Sequence, residues 1–96
     1  MAPTVKTHSF RGRRFAVNLN AAFPDDTKTN GEADAPRMKA REIRMRKGLS
    51  GLMCLDTLVH EALHACLWDI DEEAVRESAG DIARLLWRLG YRRGKV

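Results

Sequence analysis

The sequence predicts an α+β fold: a small antiparallel sheet, made of a hairpin and an edge strand, packed on two antiparallel helices. Three observations carry this expectation. Residues 5–17 and 38–47 are strand-like, the first carrying Val5, Phe10, Phe15 and Val17 about a glycine turn and the second alternating Ile43 and Met45 with charged residues. After Gly48 and Gly51 the apolar spacing changes to the helical period and keeps it to residue 90. The chain has 96 residues, 44% of them hydrophobic, which is enough for one small core and places residues 1–96 in a single domain.

Residues 5–17 are expected to form the hairpin. Two strand-like stretches, Val5 to Phe10 and Arg14 to Val17, flank a turn in which Gly12 supplies the flexible position. Residues 18–36 hold Pro24, Pro36, Asn18, Asn20 and Asn30, with Asn30-Gly31 as the strongest turn signal, so the segment reads as a loop. A loop of that length in so small a domain is functional or mobile. Residues 38–47 return to alternation. Ile43 and Met45 share one side with Arg41 and Lys47, while Glu42, Arg44 and Arg46 take the other, as in an edge strand with a charged outer face.

Two helices follow. Over residues 52–68, Leu52, Leu55, Leu58, Val59, Ala62, Leu63 and Cys66 gather on one broad face. Over residues 71–90, Asp71 is a good N-cap, and Glu72 and Glu73 lie in the first turn, where the helix dipole favours anions. Val75, Ala79, Ile82, Ala83, Leu85, Leu86 and Leu89 make the apolar stripe of that second helix, and Gly90 ends it before a basic tail over 91–96. Trp68 and Trp87 are expected to close the core.

Composition excludes several function classes. No apolar run approaches the ~20 residues of a membrane span, and the first ten residues lack the apolar stretch of a signal peptide. Two cysteines, Cys54 and Cys66, fall below the density of a disulfide scaffold, so two ordinary half-buried thiols in a reducing, cytoplasmic setting are expected. The net charge of +4 is unevenly placed. Residues 1–48 carry eleven Lys and Arg against five Asp and Glu, whereas residues 49–96 carry six against eight.

The acidic half contains His60-Glu61-Ala62-Leu63-His64, an H-E-x-x-H run inside the first helix. Side chains four apart project from the same side of a helix, so both imidazoles can reach one metal ion. Glu61 lies about 100° around from His60 and can take a proton from water without being a ligand itself. Zinc sites that catalyse reactions usually have three protein ligands and an open position. The only other histidine, His8, lies far upstream in the hairpin, so the acidic start of the second helix is the natural source. Glu72 is the first choice, Glu73 the next and Glu77 the third, because Glu72 lies nearest the inward stripe. Asp56, one turn before His60, and Asp81 are candidates to orient a ligand, although solvated helix acids fit them as well.

At these residues the chain resembles the zincin metallopeptidases, in particular the gluzincin type with a glutamate as third ligand. The stretch Leu58-Val59-His60-Glu61-Ala62-Leu63-His64-Ala65, followed by Asp71-Glu72-Glu73-Ala74-Val75 and Asp81-Ile82-Ala83-Arg84, is similar to short zincin-like proteins of bacteriophage and bacterial genomes. The resemblance covers roughly residues 38–91. It implies His60 and His64 as zinc ligands, Glu61 as general base and a glutamate near 72–73 as third ligand, in a zinc-dependent hydrolase acting on a peptide or protein substrate. Larger gluzincins also supply an oxyanion-stabilising side chain, for which Tyr91 or Arg44 is the candidate here. The longer metzincin pattern fails, since Leu67 and Ile70 stand where it needs glycine and histidine.

The basic run Arg37, Lys39, Arg41, Arg44, Arg46 and Lys47 supports a different class. In a zincin the strand before the motif helix borders the cleft, so Arg41, Arg44 and Arg46 would select an acidic substrate. Without catalysis, the same run would make the chain a module for nucleic acid or an acidic partner, and nucleic acid is the less favoured because aromatic residues are few there. A catalytically inactive zincin scaffold is the third reading.

Overall fold

The computed structural model describes residues 4–24 and 28–93. Their elements run in the order β1 (Thr7–Phe10), β2 (Arg13–Ala21), β3 (Gly31–Ala33), β4 (Glu42–Arg46), α1 (Gly51–Cys66) and α2 (Glu72–Arg88). The fold is α+β, and the sheet is mixed rather than antiparallel. Its strand order is β1-β2-β4-β3.

The hairpin forms where the sequence places it. Phe10 pairs with Arg13 around the two-residue turn Arg11-Gly12, and both turn residues have positive φ, 50° and 81°. That combination matches the right-handed twist of the flanking strands, which explains a glycine at the second position. β2 then continues to Ala21, into the segment expected to be loop. One extra residue between Asn18 and Ala21 makes a bulge against β4, and the Asn18 side chain accepts a hydrogen bond from the Asn20 N–H there. Asparagine suits such a break in the ladder, and for that reason it disguises a strand.

The expectation of a charged edge strand over residues 38–47 needs correction. β4 is shorter and lies inside the sheet, parallel to β2 on one side and antiparallel to β3 on the other. The three-residue β3 is the edge instead, and it arises from within the expected 18–36 loop. The alternation in β4 is real. Ile43 and Met45 are buried beneath the sheet, while Arg44 on the outer face reaches Glu32 on β3, Asp34 and its neighbour Glu42.

Above the apolar face of the sheet lies α1, and α2 packs on the far side of α1. The two helices are antiparallel: Gly51 at the start of α1 lies beside Trp87 near the end of α2, and His60 and His64 face Glu72 at the start of α2. Phe15, Ile43 and Ala65 form the core between sheet and α1. Val75, Ala79 and Ala83 fill the seam between the helices. Trp87 is half-buried, but Trp68 is exposed and does not close the core. Cys54 and Cys66 are free, half-buried thiols. No helix is long and apolar enough to cross a membrane. The basic tail is described only through Arg93, so its last three residues lie outside the described residues, as do 25–27 of the loop.

Arg44 is the outer-face staple. Its Nη2 lies 2.9 Å from Asp34 Oδ1 and its Nη1 3.1 Å from Oδ2, a two-pronged pair that is three-quarters shielded from water. The hydrogen bond from Arg44 holds the Asp34 carboxyl below the usual carboxylate range. A carboxyl lowered in the folded state contributes stability that is present above its unfolded pKa and lost as pH falls below it. We therefore expect Asp34→Asn to lower unfolding stability by about 1–2 kcal/mol near neutral pH in urea titrations. The variant should also lose less stability than the parent as pH falls below about 4, where Asp34 protonates.

Candidate metal centre

Glu72 reaches the histidines because of a tight helix-to-helix connection. α1 stops at Cys66, two residues before the expected end, and its last turn closes with Leu67 N–H donating to Leu63 O. Ile70 N–H then donates to Leu67 O, and Asp71 starts α2 by accepting from the Ala74 N–H through Oδ2 at 3.1 Å. That cap fixes Glu72 as the first residue of the new helix, one turn from His64 in space. Asp71 as cap and Glu72 in the first turn were both legible as sequence, and the short connection brings them next to the end of α1.

Three side chains meet there through four atoms. His60 Nε2 and His64 Nε2 are 3.1 Å apart, Glu72 Oε1 lies 3.1 Å from His60 Nε2, and Glu72 Oε2 lies 2.8 Å from His64 Nε2. Ring protons on the two imidazoles satisfy at most two of these three contacts. A single cation among them satisfies all three, because each atom then offers it a lone pair. At zinc–ligand bonds of about 2.0–2.1 Å, tetrahedral ligands are roughly 3.3–3.5 Å apart, so these contacts would have to open by up to about 0.7 Å. Two imidazoles and one carboxylate are also a zinc donor set. Among the described residues this is the one group of three or more metal-capable side chains so arranged. The histidines are largely shielded, with side-chain exposures of 21% and 17%, while Glu72 at 65% faces water. The negative end of α1 and the anionic Glu72 both favour positive charge at this point.

Glu61 is the surprise of the helix. The sequence places it about 100° around the helix from His60, and with Ala65 it is the most buried side chain of α1. It faces the sheet, where β3 passes so close that a Cβ at Gly31 would stand 3.0 Å from Glu61 Cγ and Oε2 and 2.9 Å from Thr57 Cγ2. Its carboxyl has no hydrogen-bond partner among the described residues. Burial, with Glu72 and Glu32 nearby, pushes it up to about 7 against the pull of Arg44. Gly31 escaped sequence reading because Asn30-Gly31 resembles a turn. Its requirement for glycine comes from a contact 30 residues away in sequence, which no local pattern carries.

Other candidates lie apart from this cluster. Glu73 is tied to Arg76, and Glu77 borders a shallow depression with Asp56, Arg76, Gly80, Asp81 and Arg84. Asp81 is paired with Arg84. Tyr91 follows the far end of α2, roughly 25–30 Å along the helix from Glu72, so it cannot stabilise an oxyanion at this centre. The three arginines expected at a substrate are instead internal staples. Arg41 donates to the carbonyls of Arg14, Pro36 and Met38, Arg46 donates twice to Thr29 O and stacks on Phe23, and Arg44 holds Asp34. Arg37 of the basic run, joined by Arg11 and Arg13, which the sequence did not single out, lines an open cleft of about 300 Å³ next to the centre, with Trp68 and Asp69. Trp68 links the two, its ring 6.3 Å from that of His64.

No protein-family model matches the chain, and no curated protein or solved structure is significantly similar to it.

The close approach at Gly31 sets a direct test. Gly31→Ala should destabilise the fold by roughly 1–3 kcal/mol, through the overpacking of Thr57 and Glu61. Thr57→Ser removes the nearest clashing methyl, so the double variant should recover part of that loss in chemical denaturation, a non-additive cycle.

Proposed function

We propose that this chain is a zinc-dependent hydrolase, a minimal metallopeptidase, with His60, His64 and Glu72 as ligands and Glu61 as the proton acceptor. The observation that supports it is the convergence of two imidazoles and a carboxylate within 3.1 Å of one another beside a buried carboxyl. Three protein ligands, rather than four, are the composition of zinc sites that keep a position open for chemistry. Zinc held there supplies Lewis acidity, which polarises a substrate carbonyl and makes water acidic enough to attack near neutral pH. The rest is the work of the protein. Glu61, held against Gly31 with no competing hydrogen bond among the described residues, takes the proton from the attacking water and returns it to the leaving amine. The helical spacing keeps both imidazoles on one side, and the Asp71 cap keeps Glu72 opposite them. A glutamate third ligand on the following helix agrees with the gluzincin-type resemblance. The free thiols of Cys54 and Cys66 favour a cytoplasmic setting.

The cleft of Arg11, Arg13 and Arg37 supports a second reading, a module for an acidic partner. Arg13 and Arg37 have no ion-pair partner among the described residues, so their charge is available to a ligand. On this reading a polyglutamate peptide binds with steep salt dependence, chelator has no effect, and Arg13→Glu with Arg37→Glu abolishes binding.

Elemental analysis of purified protein decides the metal. One zinc per chain is expected, with affinity reduced roughly 100-fold or more by His60→Ala, His64→Ala or Glu72→Ala and unchanged by Glu73→Ala. Protein that binds no zinc overturns the reading. Glu61→Gln should retain zinc and lose peptide hydrolysis by roughly 100-fold or more. Zinc-loaded protein inactive on a broad peptide library would make the chain a non-catalytic scaffold.

A further inference from the structure

α2 packs on α1 and, among the described residues, on no strand. The surface it turns to α1 is built of small residues, with Val75, Ala79, Gly80 and Ala83 buried. Its apolar stripe is wider than that surface. Ile82, Leu85 and Leu89 are 40%, 56% and 64% exposed, and at 100° per residue they fall within a sector of about 60°. In a chain with so small a core, three large aliphatic side chains aligned in water are a strip that needs covering. Met53, also exposed, adds to the apolar surface at the same end of the helix pair.

The charges beside the strip indicate what covers it. Asp81 and Arg88 lie on the same flank, about 20° apart in projection, four residues before Leu85 and three after it. Arg88 has no ion-pair partner among the described residues, and the Asp81 carboxylate, although paired with Arg84, is exposed enough to accept a second guanidinium. We propose that a second copy of this chain covers the strip, with the two α2 helices packed antiparallel about a two-fold axis near Leu85. In that arrangement a residue four before the axis meets a residue three or four after it on the other copy. Asp81 then lies beside the other copy's Arg88, twice by symmetry, while Ile82 meets the other copy's Leu89 and Leu85 meets its equivalent. A parallel pairing would instead put the Asp81–Arg88 flanks of the two copies on opposite sides of the interface.

Complementarity extends along the helix. Its first half carries Glu72, Glu73, Glu77 and Asp81 against Arg76, and its end carries Arg84 and Arg88 with Arg92 and Arg93 just beyond, so an antiparallel copy brings the Glu77–Asp81 stretch toward the basic end. Opposed helix dipoles act in the same sense. Glu72 lies about 20 Å along the helix from Leu85, so the pairing leaves the candidate metal centre open and does not depend on it.

Sedimentation equilibrium of the full chain at submillimolar concentration and low salt tests this. The expected mass is twice 10.9 kDa. Leu85→Glu should give a monomer. Asp81→Arg and Arg88→Asp should each weaken association by about tenfold, and combining them should restore it to within about threefold of the parent. Circular dichroism of each variant checks folding, and the exposed charge swap carries the test if Leu85→Glu fails to fold. A monomeric parent, a dimer indifferent to Leu85→Glu in folded protein, or a double swap that does not restore association would each overturn the proposal.

Discussion

Everything in this molecule depends on α1 being wedged between two layers. The sheet covers one side and α2 the other, so most of the sixteen residues of α1 are at least partly shielded, and Glu61 and Ala65, on the sheet side, are buried outright. A helix in that position would ordinarily be apolar all round. This one instead carries His60, Glu61 and His64, and each polar group is accommodated by a neighbour with a matching property. Glu61 is admitted by the missing side chain at Gly31, and the histidines are admitted by the carboxylate of Glu72. Rigidity follows, because side chains gripped from both layers have few alternative rotamers.

The arginines are the second theme. A strongly basic stretch invites the idea of an external partner, yet Arg41, Arg44 and Arg46 all turn inward on the segment that joins β2 to β4. Two of them end on backbone carbonyls, the oxygen atoms that an irregular crossing leaves unpaired. Guanidinium groups suit this work because their several N–H donors lie in a fixed plane and stay charged. The effect is to press β3 into place, and with it Gly31.

Local and periodic features were legible in the sequence: both helices, the hairpin turn, the alternation of Ile43 and Met45, and the His60-Glu61-His64 spacing. The structure sets Glu72, rather than Glu73 or Glu77, beside the two histidines because the connection after Leu67 is short. What escaped was non-local. A bulge stabilised by Asn18 and Asn20 and a three-residue strand at Gly31 carry loop composition, so nothing nearby distinguishes them from loop. A parallel β2–β4 pairing has no local signature, because the two strands are joined only through a long connection. Trp68 was misplaced for a related reason: helical periodicity extends past Cys66, but the chain turns away before reaching it.

The parallel pairing of β2 with β4 also bears on how the molecule assembles. The two helices and their short connection form a contiguous hairpin, whose ends meet after closing only a small loop. The sheet must close a loop about four times longer, and β3 can be added only after β4 is there to receive it. Loop-closure entropy rises with length, and contacts distant in sequence slow folding. The helical hairpin and the β1–β2 hairpin therefore close at low entropic cost, whereas joining β4 to β2, and with it placing Gly31 against Glu61, carries the larger loop-closure cost.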